Sequence, residues 1–149
     1  MLSRKILRAL CASFLVVPLM FACGSDDDSP TNTGKPCTSV DQCYPGLDQT
    51  MLSGSAVCMD KVTGGYCTHH CVTDADCCKL SGECPGNHAE VCSPFESTNE
   101  TYCFLSCETA DLNAAGETDA DAYCKKFATT EFGCRSSGGG SENRKVCLP

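Results

Sequence analysis

The hydrophobic pattern changes character once, near residue 22. Ala9 to Ala22 is apolar apart from Ser13 and Pro18, and it follows a head carrying Arg4, Lys5 and Arg8 without an acid. A membrane-crossing helix needs about 20 apolar residues. This run ends sooner, at "CGSDDDSP", so residues 1–22 read as a signal peptide. Downstream, the apolar positions come in short groups, "AVC", "EVC" and "FGC", at Cys58, Cys92 and Cys134. Each is followed after eight, ten or twelve residues containing Gly, Ser or Asn by another cysteine, which is the spacing of β-hairpins with lengthening loops. One segment has helical spacing: in "TDADAYCKKFATTE", Tyr123 and Phe127 lie four apart with Cys124 beside them, predicting a short helix over 119–128. Three hydroxyl residues, Ser39, Thr73 and Thr118, precede Gln42, Asp76 and Asp121 by three positions, the arrangement of a capping box.

The cysteines organise these elements. Two junctions, "YCTHHC" (66–71) and "YCFLSC" (102–107), share a tyrosine before the first cysteine and three residues before the second. Cutting the chain there gives three units: Cys37, Cys43, Cys58 and Cys67; then Cys71, Cys77, Cys78, Cys84, Cys92 and Cys103; then Cys107, Cys124, Cys134 and Cys147. The units run over about 37–67, 71–103 and 107–147. In the first and third, pairing first-to-third and second-to-fourth would clamp the opening turn onto the hairpin. In the middle unit, two of Cys77, Cys78 and Cys84 would close a local loop, with the vicinal Cys77 and Cys78 bonded to different partners. The expected fold class is therefore small and disulfide-rich, with three tandem cysteine units of short β-hairpins and irregular loops.

The junction "MFAC", Met20 to Cys23, resembles the bacterial lipobox, with Ala22 in the small position and Cys23 as the acylated residue. Parity agrees. The chain has sixteen cysteines; removing Cys11 with the signal and acylating Cys23 leaves fourteen, an even number for an oxidising compartment. Residues 23–36 then read as a lipidated flexible tether, with Asp26, Asp27 and Asp28 as a solvated charge run. Lipobox, acidic tether and "GGYCTxxC…DxDC" units ending near "CL" together resemble the cysteine-rich lipoproteins of myxobacteria and related bacteria. That resemblance implies an exported, membrane-anchored lipoprotein, in the outer membrane or at the cell surface, in a group without an assigned biochemical activity.

Composition explains the need for cross-links. From Cys23 onward only sixteen of 127 residues are Val, Leu or Phe, and there is no Ile. That is below the level of an ordinary globular core, so disulfides are expected to replace it. The same segment has formal charge −11, which argues against nucleic acid as a partner and leaves membrane attachment to acyl chains.

The candidate chemistry is sparse. Cys67, His69, His70 and Cys71 have zinc-ligand side chains, but disulfides would consume the thiolates and the second junction has no histidine. His69 and His70 remain as weak metal candidates in an exposed polar loop. "TDAD" at 73–76 and 118–121 offers carboxylates for calcium but lacks an EF-hand loop, and helix capping accounts for it more simply. No Gly-x-Ser-x-Gly, His-Glu-x-x-His, phosphate loop or Cys-x-x-Cys occurs. The reading is a non-enzymatic envelope scaffold without a cofactor, binding an unknown protein or envelope partner. Its contact surfaces would be the hairpin loops 59–66, 93–102 and 135–146. The alternative is a secreted or periplasmic inhibitor-like or metal-handling module.

Overall fold

The computed structural model describes residues 32–149 except 85, 87, 97–99, 130 and 139. Residues 1–31, on which the signal-peptide and Cys23 expectations and most of the tether expectation fall, lie outside the described residues. Six strands form three antiparallel hairpins: β1 (Ala56–Cys58) with β2 (Cys67–His69), β3 (Glu90–Pro94) with β4 (Thr101–Leu105), and β5 (Gly133–Ser136) with β6 (Lys145–Leu148). Two helices, α1 (Thr109–Ala115) and α2 (Ala120–Phe127), precede the third hairpin. Short 3-10 turns at Val40–Gln42 and Asp74–Asp76 open the first two units.

Seven disulfides connect these parts. The bonds Cys37–Cys58 and Cys43–Cys67 staple unit one, and Cys107–Cys134 and Cys124–Cys147 staple unit three. Unit two repeats the pattern with Cys71–Cys92 and Cys77–Cys103, and adds Cys78–Cys84 as a loop of its own. Within each hairpin the two framework cysteines face each other across the strands, Cys58 with Cys67, Cys92 with Cys103 and Cys134 with Cys147, yet none bonds to its neighbour. Each reaches back to its opening segment. The short two-stranded hairpin, marginal alone, is thereby held against a helical turn. Such a disulfide set belongs to an extracytoplasmic protein, because the reducing cytosol does not maintain one.

The junctions join the units by one repeated contact. His70 bridges to Tyr102 and Ser106 to Val146, in each case the residue before an opening cysteine meeting the residue before the next unit's last cysteine. The opening cysteines follow suit, Cys71 N–H donating to Thr101 O at 3.2 Å and Cys107 N–H to Lys145 O at 3.0 Å. The chain entering unit one pairs similarly, with Gly34 N–H on Cys67 O and Cys67 N–H on Lys35 O, both at 2.9 Å. Asn32 and Thr33 are buried. The tether reading is therefore corrected at its end, since residues 32–36 are part of the folded domain.

The core also departs from expectation. One apolar cluster runs through all three units, including Tyr66 from the first, Phe104 and Leu105 from the second, and Tyr123, Phe127, Phe132 and Val146 from the third. Tyr66 is fully buried, stacks on Phe132 at 5.8 Å and accepts a hydrogen bond from Leu105 N–H at 3.2 Å. Counting only Val, Leu, Ile and Phe had hidden this core, because tyrosine and half-cystine carry much of its burial. Gly65 explains the "GGYC" motif: its φ is +75°, and a Cβ there would lie 1.9 Å from Cys37 O.

The helix expected over 119–128 is α2, but its N-cap is Asp119, whose carboxylate accepts from Ala122 N–H at 3.0 Å. The Thr118/Asp121 capping box is thus displaced by one residue. At the first unit Ser39 makes no side-chain cap, and Gln42 instead accepts from Thr38 N–H at 2.8 Å. The Thr73/Asp76 box forms. The second helix, α1, lay outside the sequence expectation of one helix: it shows a single apolar anchor, Leu112, and closes on Gly116 in the left-handed conformation.

Candidate functional site: one face built from three loops

Each hairpin ends in a loop free of framework cysteines, and described residues of the three loops meet. Glu96 N–H donates to Ser137 O at 3.0 Å, and Ser93 Oγ bonds to Ser137 Oγ at 2.7 Å in a buried contact. Lys61 meets Glu96 at 3.8 Å in an exposed ion pair. A groove of about 300 Å³ runs between them, lined among others by Lys61, Val62, Phe95, Glu96, Arg135 and Ser136. Parts of these loops turn inward, since Met59, Val62, Phe95 and Ser137 are buried. The surface left for contact is therefore the mixed-charge rim around Lys61, Glu96 and Arg135, rather than the whole of each loop.

The histidine junction is not an exposed loop. Thr68 and His69 are fully buried on β2. His69 Nδ1 faces the carbonyl of His70 at 2.8 Å, and its Nε2 faces Glu83 Oε1 at 2.5 Å. A carbonyl only accepts, so Nδ1 donates, and one proton lies between Nε2 and Glu83. Glu83 is itself fully buried, and its other oxygen accepts from Leu80 N–H at 2.8 Å. His70 is turned elsewhere, its ring 4.5 Å from that of Tyr102. The metal candidacy of His69 and His70 is corrected accordingly: both nitrogens of His69 are engaged, the two imidazoles do not converge, and Cys67 and Cys71 are in disulfides.

The aspartates of the two "TDAD" segments have structural work. Asp76 accepts from the N–H groups of Val72 and Thr73, at 3.1 and 2.9 Å. Asp74 and Asp121 do something capping logic did not anticipate. Each accepts from the N–H of its unit's third framework cysteine, Cys92 or Cys134, at 2.8 Å, so each ties an opening helix to its hairpin. The repeated aspartate three residues before Cys77 and Cys124 was the available signal. Asp74 also meets Arg144, which holds Glu108 with a forked pair of bonds at 2.6 and 3.0 Å and so links units two and three. His88 packs on Phe127, ring to ring at 3.9 Å, with Nδ1 3.2 Å from the Tyr123 hydroxyl.

Buried acids were missed altogether. Besides Glu83 there is Glu90, on β3, whose Oε2 has no hydrogen-bond partner among the described residues. Burial raises its carboxyl well above the usual range, and the nearby charge of Glu83 pushes the same way. No spacing rule marks either residue. A second open groove, of about 650 Å³, flanks unit one between Val40 and Cys58.

Comparison with known proteins finds no match. Neither family models, nor curated proteins, nor solved structures contain one. The functional reading of the chain therefore rests on its own residues.

Proposed function

We propose that the chain is a membrane-anchored, non-enzymatic lipoprotein of the cell envelope, acylated at Cys23, whose disulfide-stapled domain presents its three hairpin loops as a contact surface. The observation that carries this reading is the loop face: three tandem units bring one uncross-linked loop each to the same side, on a framework fixed by seven disulfides. Such an arrangement separates a cross-linked scaffold from the loops that it carries. The resemblance to myxobacterial cysteine-rich lipoproteins supports the same address, and among the described residues no helix is long and apolar enough to cross a membrane. Attachment then falls to acyl chains, of which two or more give stable anchoring.

Intact-mass analysis of the mature protein, with and without reduction, tests the anchor. Acyl mass on Cys23 and a gain of fourteen hydrogens on reduction are expected; a soluble product with unmodified Cys23 overturns the anchor. The contact role is tested with the acyl-free domain immobilised against solubilised envelope fractions. Replacing Lys61, Glu96 and Arg135 together by alanine should abolish retention while leaving the disulfide map intact. Undiminished retention would remove the loop face from the account.

A further inference from the structure

Six of the seven disulfides do the same job, joining an opening segment to a hairpin across 21 to 27 residues. Cys78–Cys84 does not, for it joins cysteines only six positions apart inside unit two, where two framework bonds already staple the hairpin. Its setting differs as well. Cys78 is the only exposed cysteine residue among the described residues; the framework cysteines are buried or half-buried. Beside the pair lies Glu90, more than nine-tenths buried, with a carboxyl oxygen within 4.8 Å of both sulfurs and Oε2 without a hydrogen-bond partner among the described residues. The Thr33 side chain bonds to this carboxyl, but a buried oxygen left without a partner is still costly to keep.

We propose that Cys78–Cys84 is a thiol-exchange site, at which a small-molecule thiol attacks the sulfur of Cys78, the exposed residue of the pair, and Glu90 supplies the proton to Cys84. The incoming thiolate forms a new S–S bond to Cys78, and the electron pair of the Cys78–Cys84 bond leaves on the Cys84 sulfur. That sulfur takes the Glu90 proton, giving a mixed disulfide on Cys78, a Cys84 thiol and a Glu90 carboxylate. In the reverse direction Glu90 takes the proton back as Cys84 attacks Cys78 and expels the small molecule as its thiolate. Exposure selects which sulfur is attacked, and protonation of the departing sulfur favours its departure. The framework bonds are disfavoured as substrates by burial. The same loop carries Glu83, which holds His69, and the Gly82 and Glu83 carbonyls that accept from the Asn32 amide at 2.8 and 2.5 Å. Opening the bond therefore loosens the point where the chain from the membrane side enters the domain.

The titratable groups whose charges couple to Glu90 are Glu83, Tyr44, Tyr66 and Tyr123, and Glu83 is the only other carboxyl among them. The test uses the folded, fully oxidised domain with reduced glutathione, stopped by alkylation at timed intervals and mapped by peptide mass. Glutathione on Cys78 and alkylation of Cys84 are expected while the other twelve cysteines stay bonded. Glu90→Gln should slow this step about tenfold at neutral pH, with the deficit shrinking as pH rises and the leaving thiolate needs no proton. First opening at any other pair, or simultaneous opening of all seven, overturns the proposal without recourse to a variant. A Glu90→Gln domain that exchanges at the wild-type rate at every pH overturns the role of Glu90. Should that variant fail to fold, Glu90→Leu, which removes the buried polar atom, serves in its place.

Discussion

Glu83→Ala is the perturbation whose cost the structure defines best. The side chain is fully buried, shares one proton with His69 Nε2 across 2.5 Å and accepts from Leu80 N–H at 2.8 Å. Alanine leaves both partners unpaired in a dry interior, at about 1–3 kcal/mol each, so the variant should lose roughly 2–5 kcal/mol. For a domain of this size that is a fall in Tm of roughly 10–20 °C. His69→Ala should cost a similar amount, because it strands the Glu83 carboxyl. The double variant strands the Leu80 N–H and the His70 carbonyl but neither member of the pair, so the two losses should fall short of additivity by about 1.5–3 kcal/mol. Guanidinium unfolding with all disulfides intact, followed by tyrosine fluorescence, measures the cycle. Single losses below about 0.5 kcal/mol, or a strictly additive double variant, would refute the view that this pair is a buried, mutually dependent unit.

Three further outcomes follow from the core. Phe104 is fully buried with Tyr66 at 5.4 Å and Phe95 at 5.9 Å, ring to ring, so Phe104→Ala should lose roughly 3–5 kcal/mol in the same assay. All four tyrosines are held above their ordinary ionisation, mainly by burial, with Tyr102 pushed up to about 12. Their stabilising contribution is complete below pH 10 and is lost as pH rises through the raised folded values. Rapid-mixing absorbance at 295 nm should therefore show almost no phenolate at pH 10.5 until denaturant is added. Glu90 behaves likewise at acid pH: its favourable contribution is complete below about 4.5 and disappears as pH climbs through its raised value. The stability advantage of Glu90→Gln over the wild type should consequently grow from pH 4.5 to pH 8, as read from guanidinium midpoints.

What could be read from the sequence was whatever repeats. Cysteine spacing, the paired tyrosines at the junctions and the apolar residues beside Cys58, Cys92 and Cys134 each recur, and these set the hairpins, the unit boundaries and the stapling pattern. The helix at 120–127 was legible from Tyr123 and Phe127 because they sit on one face. Singular features were not legible. Glu83 and Glu90 are acids in an acidic chain, and only the folding of loop 78–84 over β2 and β3 takes them from water. His69 reads as part of an exposed polar loop from its sequence, and its counterpart in the second junction is Leu105, yet both positions are buried. The framework requires an inward-facing side chain there and leaves open whether it is apolar or is paired with an acid. Asn32 and Thr33 were assigned to the tether by their polarity, although each finds a partner inside, the Gly82 and Glu83 carbonyls for one and the Tyr44 hydroxyl for the other.

The repeat also defines where unit one is incomplete. In units two and three an aspartate three residues before the second framework cysteine, Asp74 or Asp121, accepts from the N–H of the third. The corresponding residue before Cys43 is Val40, the first residue of its 3-10 turn just as Asp74 is of its own. Valine has no acceptor to offer Cys58, Val40 is left 43% exposed, and the open groove of about 650 Å³ lies beside it. If the aspartate is what seats an opening turn on its hairpin, Val40→Asp should supply the missing tie. It should raise stability by about 0.5–1.5 kcal/mol, the net worth of one hydrogen bond, and slow amide exchange at Cys58. The guanidinium midpoint and exchange at that single amide give two separate readings. A loss of stability, or exchange at Cys58 as fast as in the wild type, would show that the turn of unit one is held by Cys37–Cys58 and Cys43–Cys67 alone and that the equivalence of the three units stops at their cysteines.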